Sequence, residues 1–220
     1  MNKTQAIQPS KWKTQVSVFA IWLVTISGMI GIWLGQGDWF LPKTPMNLML
    51  GAGLLLWNFP AKNGWRSVGI WSLAFSIGFL VEVLGVSTGF PFGEYRYGEN
   101  LGPKFFEVPF LIGLNWVVLT FLTLYVGKRL FKNKWLVCLT GAMLMVSLDV
   151  FIEPVAPIFD FWHWANGSPP IQNFVAWFVV AFGLQVLSYS EVPEIKTAFP
   201  LHHFAAQLIF FGFFYAYYQF

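Results

Sequence analysis

Glu82, Asp149 and Glu153 lie within or at the ends of apolar runs that read as membrane spans. A charged side chain in the middle of a span costs on the order of 3 kcal/mol, so such residues face a cavity or one another rather than lipid. Asp149 and Glu153 are four apart and project from one helix face, and Pro154 ends that helix directly afterwards. Asn115 and Asn173 stand near the starts of two further runs. Polar groups from four helices would satisfy one another if they shared one cavity. Buried carboxyls in such a place are suited to acid–base chemistry. Burial disfavours the charged form, and repulsion between two that meet separates a proton donor from a proton acceptor.

The elements that must position these groups are transmembrane helices. The 220 residues are 56% hydrophobic, 20% aromatic and only 10% charged, with a mean hydropathy of +0.59, too apolar for a water-soluble domain. The spans expected are 16–34, 46–59, 69–86, 110–126, 135–152, 171–189 and 201–218. The second is the shortest. Thr44 as N-cap and Pro45 at the first helical position lengthen it, and a re-entrant segment is the alternative. The expected fold is therefore an all-α polytopic bundle of about seven transmembrane helices in one domain, 1–220. The first run follows Lys3, Lys11 and Lys13 as in a signal peptide. It is long enough to span and lacks a small-residue cleavage site, so it reads as a retained anchor.

Basic residues cluster beside the runs: Lys3, Lys11 and Lys13, then Lys62 and Arg66, then Lys128, Arg129, Lys132 and Lys134. That pattern places the N-terminus in the cytoplasm and the unusual carboxyls in the outer half of the bilayer. Only the turn with Glu191, Glu194 and Lys196 departs from it. The net charge of +3 thus reflects orientation in a membrane, and nucleic acid is not an expected partner. The lone cysteine, Cys138, reads as a small buried hydrophobe.

The 88–109 connection is dense in glycine, proline and aromatics and cannot form a regular helix. It reads either as a lid over a cavity or as an interfacial aromatic belt in which Arg96 pairs with Glu94 or Glu99. The 154–170 connection carries Trp162-His163-Trp164, for which the interface is the stronger reading. His202 and His203 are adjacent on a helix and point in different directions, so no metal is expected and the histidines are placed at membrane surfaces. Gly127, Gly141 and the Gly51-x-Gly53 pair suggest close helix packing. The sequon at Asn166 falls in an outer loop. The seventh run has no lysine to bind retinal, and paired Asp-rich magnesium motifs are absent.

Glu82, Thr88-Gly-Phe-Pro-Phe-Gly-Glu-Tyr-x-Tyr97, Leu101-Gly-Pro-Lys104, Val108-Pro109, Asn115-Trp116, Asp149-x-x-x-Glu-Pro154 and Asn173-Phe-x-x-Trp177 together resemble the carotenoid biosynthesis family of membrane hydratases. The resemblance covers about 78–182, and Gly113 and Glu153 depart from its commoner pattern. It implies carotenoid 1,2-hydration: water added across the terminal double bond of an acyclic carotenoid end group to give a tertiary alcohol. No redox cofactor is implied. The partners implied are a carotenoid within a prokaryotic cytoplasmic membrane, the lipid bilayer and other enzymes of the pathway.

In this reading Glu82 or Asp149 is the general acid, and the other works with Glu153 as base or water-orienter. Phe90, Phe92, Glu94, Tyr95, Tyr97, Lys104, Asn115, Trp116, Asn173 and Trp177 contact the substrate. The competing reading is non-catalytic: a polar network that only fixes helix packing, or a carotenoid-binding or assembly subunit.

Overall fold

Asparagine, proline and glycine set where the apolar runs become helices. The computed structural model describes residues 10–59, 64–193 and 197–219. Lys3, Lys62, Glu194 and Lys196, which entered the charge argument, lie outside the described residues. The long helices are α1 (Lys11–Trp33), α3 (Thr44–Asn58), α4 (Trp65–Thr88), α5 (Phe110–Leu130), α6 (Lys134–Ile152), α7 (Ile171–Ser188) and α8 (Phe199–Gln219), with a single-turn α2 at Gly37–Phe40. Asn133 caps α6, accepting hydrogen bonds from the amides of Trp135 and Leu136 at 2.8 and 3.3 Å. Gly89 closes α4 at φ +74, left-handed backbone that glycine adopts without penalty.

Five helices, α1, α4, α5, α6 and α7, are long and apolar enough to cross a bilayer, and the protein is an integral membrane protein. The chain is all-α apart from short two- and three-residue strands. α8 has 21 residues but carries His202, His203 and Gln207. α3 has 15 residues, about 22 Å of helix against a hydrocarbon core of roughly 30 Å. Thr44 does not cap α3. It is the first helical residue, its hydroxyl donates to the Leu41 carbonyl at 2.7 Å, and the chain enters through a 3₁₀ turn at Leu41–Lys43.

α5 is the central helix, packed against α3, α4, α6, α7 and α8, while α1 lies along α8 and α3. Gly127, Gly141 and Gly51 do serve close packing: a Cβ there would come within 2.7 Å of the Val137 carbonyl, 2.3 Å of Gln185 and 2.7 Å of His203 respectively. Gly53 has nothing within 4 Å among the described residues and makes no such contact. Of the two helical histidines, His203 is buried and His202 half-buried. His203 is buried in the space Gly51 leaves, and His202 Nδ1 accepts from the Trp22 indole at 3.0 Å. Cys138 is buried, as its apolar surroundings imply.

At one end of the bundle the two long connections are zipped together. Strand β1 (Tyr95–Tyr97) pairs antiparallel with β4 (Trp162–Trp164), Tyr95 opposite Trp164 and Tyr97 opposite Trp162. Between them β2 (Lys104–Phe105) and β3 (Val108–Pro109) form a hairpin whose turn residues, Phe106 and Glu107, both have positive φ. The strand period of two puts Tyr95, Tyr97, Trp162 and Trp164 on one face of the ribbon and Arg96 and His163 on the other. Asp160 locks the ribbon: its carboxylate accepts from the Glu99 amide at 2.9 Å and contacts His163 Nε2 at 2.8 Å. The His163 hydrogen bond, with the Glu99 amide, holds this carboxyl below its usual range. Glu99 pairs with Lys104 at 2.7 Å and not with Arg96.

The lock is tight. A Cβ on Gly98 would sit 2.2 Å from the Asp160 carbonyl oxygen. Gly98→Ala is therefore expected to destabilise the protein by about 1–3 kcal/mol, the usual cost of overpacking. Thermal unfolding of the purified protein in detergent measures it; an unchanged midpoint would contradict the packing described.

Candidate active site

The face of α4 that carries Glu82 is cleared on both sides by glycine. A Cβ at Gly78 would lie 2.6 Å from the Trp116 side chain, and one at Gly85 would lie 2.9 Å from the Tyr95 hydroxyl. Both rings can therefore close on Glu82. Tyr95 and Tyr97 donate to its Oε2 at 2.5 and 2.8 Å, and Trp116 Nε1 donates to its Oε1 at 3.0 Å. Burial, followed by the charge of Glu82, pushes the phenols of Tyr95 and Tyr97 up, so both stay protonated and donate.

The second acidic group is built where α6 ends. Glu153 keeps helical backbone geometry, and its amide bonds to the Asp149 carbonyl at 2.9 Å, so both carboxyls leave the same face. Asn173, in the first turn of α7, bonds both with one amide nitrogen, reaching Asp149 Oδ2 and Glu153 Oε1 at 3.0 Å each. Trp164 and Trp162 donate to Glu153 Oε2 at 2.6 and 3.2 Å. The two acidic groups meet at one chamber, whose wall includes both Glu82 and Glu153. Glu82, Asp149 and Glu153 are 3%, 1% and 3% exposed. Among the described residues none of them forms a salt bridge with Lys, Arg or His.

Glu82, Glu153 and their hydrogen-bond donors surround a chamber of about 80 Å³. Glu82, Glu153, Asn115 and Asn173 contribute its polar wall, and Phe92, Tyr95, Tyr97, Trp116 and Trp177 its aromatic wall. Trp116 and Trp177 stack with centroids 4.3 Å apart. Asp149 stands behind Asn173 and does not line the chamber; its Oδ1 is buried without a hydrogen-bond partner among the described residues. An apolar cavity of about 320 Å³, bounded by α1, α3, α5 and α8, adjoins the chamber and shares Thr44, Leu48, Asn115, Phe161, Gln207 and Phe211 with it.

Three residues expected at the site lie elsewhere. Phe90 is 66% exposed, and with Glu94 it lines an outer depression instead. Lys104 donates to the Tyr97 carbonyl at 3.0 Å and to Glu99, so it anchors the strand that carries Tyr97. The 88–109 connection turns Phe92, Tyr95 and Tyr97 toward the chamber and leaves Phe90, Phe105 and Phe106 exposed. Trp162 and Trp164, read from the sequence as interfacial, are donors to Glu153. The available signal was the Trp-x-Trp spacing, which matches Tyr95-x-Tyr97 and marks two strands turning the same kind of face inward. Gln207 and Phe211 of α8 also line the chamber, and only three-dimensional packing brings them there.

Fold and site together define a class: an integral membrane helical protein with an acidic, aromatic-walled chamber opening onto an apolar cavity. The model of the carotenoid biosynthesis protein family matches residues 44–219, from the first residue of α3 nearly to the end of α8, and the chain belongs to that family. It is similar to bisanhydrobacterioruberin hydratase of Haloarcula japonica, with 31% identity over 144 residues, 60% of this chain and 46% of the relative. The chain spans under half the length of that curated relative. No solved structure matches.

The donors around Glu82 give a test of the geometry. Tyr97→Phe leaves a buried acceptor short of one donor and is expected to cost about 1–3 kcal/mol. In a Glu82→Gln background, where the acceptor is neutral, the same change should cost less. A double-mutant cycle on thermal stability in detergent measures the difference, and additive effects would show that the contact does not carry the energy assigned to it.

Proposed function

We propose that this member of the carotenoid biosynthesis family is a hydratase acting on an acyclic carotenoid end group. The observation that carries the reading is the placement of buried carboxyls, without cationic partners among the described residues, in a chamber that adjoins an apolar cavity. A polyene is thin, apolar and long. Its end group would enter the chamber while its body occupies the larger cavity and continues between helices into lipid.

Hydration of a trisubstituted alkene proceeds by protonation of the less substituted carbon, which leaves a tertiary cation on its neighbour. Water adds to that cation and then loses a proton, so one water is consumed for each double bond and the acid is regenerated. The groups suit these steps. Glu82, held by three donors, is arranged to keep negative charge beside a developing cation and to accept the proton that water releases, and that proton passes back to the Asp149–Glu153 pair, the donor, before the next turnover. Asp149 and Glu153, sharing Asn173, form a like-charged pair of the kind that retains one proton, and Glu153 is the member facing the chamber. Asn115 and Asn173 are placed to orient water. The stacked faces of Trp116 and Trp177 offer a cation–π contribution of about 2 kcal/mol in a desolvated site.

Seven of the ten described basic residues, Lys11, Lys13, Arg66, Lys128, Arg129, Lys132 and Lys134, flank the end of the bundle away from the chamber, and three, Lys43, Arg96 and Lys104, lie at the chamber end. We infer from this that the N-terminus is cytoplasmic and that the chamber lies toward the outer leaflet.

Expression in a lycopene-producing host tests the activity. Mass spectrometry of the pigments should find products heavier by one water per modified end. Glu82→Gln and Glu153→Gln, each at wild-type expression, should lower conversion by about 10²–10⁴-fold, the range for loss of a general acid or base. Full conversion by both variants would refute the assignment. Pigment that co-purifies with the wild-type protein but keeps its mass would favour a carrier or assembly subunit.

A further inference from the structure

Hydration needs two reactants of opposite character, and the cavity that suits the alkene is a poor route for water. On the loop end of the bundle lies a solvent-open depression of about 530 Å³, with Glu94, Asn166, Ser168 and Gln172 on its walls. None of the residues that wall this depression also walls the chamber, except Trp164. The Trp164 indole thus stands between the depression and the chamber that holds Glu82 and Glu153. Its Nε1 donates to Glu153 Oε2 at 2.6 Å, and its ring packs on Tyr95 with centroids 5.1 Å apart. Beneath it, Gly93 has φ +119, and a Cβ there would meet Trp164 Cζ3 at 3.2 Å and Pro170 Cγ at 2.7 Å. The seat of the ring is therefore made by a position that only glycine fills without strain.

We propose that the depression is the inlet for water and that Trp164 is the residue that admits it. This rests on the hydratase reading above. Movement of the indole opens the partition and at the same moment removes one of the two tryptophan donors from Glu153 Oε2. Incoming water then meets a carboxyl oxygen free to bond it. The alkene arrives from the opposite side, through the 320 Å³ cavity. With the ring in place, the chamber stays closed to bulk solvent, which a carbocation requires. Trp164 is a positioning residue: it acts on water access and through Glu153.

The test reads access separately from chemistry. In a Cys138→Ser background, Ile112→Cys places a thiol on the buried chamber wall, and labelling by an anionic, membrane-impermeant methanethiosulfonate is timed in membranes. With Trp164 present, labelling should be slow. Trp164→Ala should accelerate it by about tenfold or more, because thiol reactivity follows exposure. Trp164→Leu serves the same purpose if the alanine variant does not assemble. Phe211→Ala, which trims the chamber on the α8 side away from the depression, should leave the rate unchanged. No acceleration in the Trp164 variants, or equal acceleration in Phe211→Ala, would overturn the inlet.

Pigment mass from the unmodified chain is measured in parallel. Hydrated pigment without Trp164-dependent labelling refutes the inlet alone. Trp164-dependent labelling without hydrated pigment leaves the aqueous route standing and refutes the hydratase reading.

Discussion

Carboxyl groups held in apolar surroundings without cationic partners must find hydrogen-bond donors, and much of this protein is arranged to supply them. Glu82 takes three donors, two from the β1 strand and one from α5. Glu153 takes two from β4 and one from α7. Neutral donors, rather than lysine or arginine, satisfy the oxygens without fixing a permanent counter-charge. That leaves the site able to respond to positive charge arising on a bound molecule. The same requirement explains the glycines at positions 78 and 85, which let Trp116 and Tyr95 approach Glu82, and the strand register, which aims one ring pair at each acidic group.

The ribbon joining the two loops is the economical part of this design. Four aromatic side chains from two short strands face inward because successive residues alternate across a strand. Asp160 fixes the register from outside, and Lys104 ties down the strand's far end through the Tyr97 carbonyl. The helices carry the acids, and the loops carry most of the donors. Membrane helices alone, with side chains selected for lipid, would have had few polar groups to offer at that depth.

How far the site was legible in the sequence follows from this division. The helical runs, the same-face placement of Asp149 and Glu153, and the polar character of Asn173 depend on local spacing, and all can be read along the chain. Tyr95 and Tyr97 were legible as part of a dense motif. Trp162 and Trp164 were read as interfacial because tryptophan favours the headgroup region on composition alone, whereas here strand pairing across more than 60 residues turns them inward. Phe90 and Glu94 share a motif with Phe92 and Tyr95 yet line the outer depression, since the chain turns through 90–92 and has no regular period to read before the strand begins at Tyr95. The burial of His203 against Gly51 and the approach of Gln207 to the chamber depend on how α8 packs on α3 and α5, which no local pattern encodes. Thr44 was misplaced as a cap because the 3₁₀ turn before it already supplies the helical entrance.

The central claim is that the acidic chamber receives the end of an apolar polyene. A structure determined with an acyclic carotenoid bound tests it most directly. The end group should lie between Glu82 and Glu153 against the Trp116–Trp177 stack, with the polyene running through the adjoining cavity between α1, α3 and α8. A carotenoid held on the lipid-facing surface, with the chamber unchanged, would contradict the account.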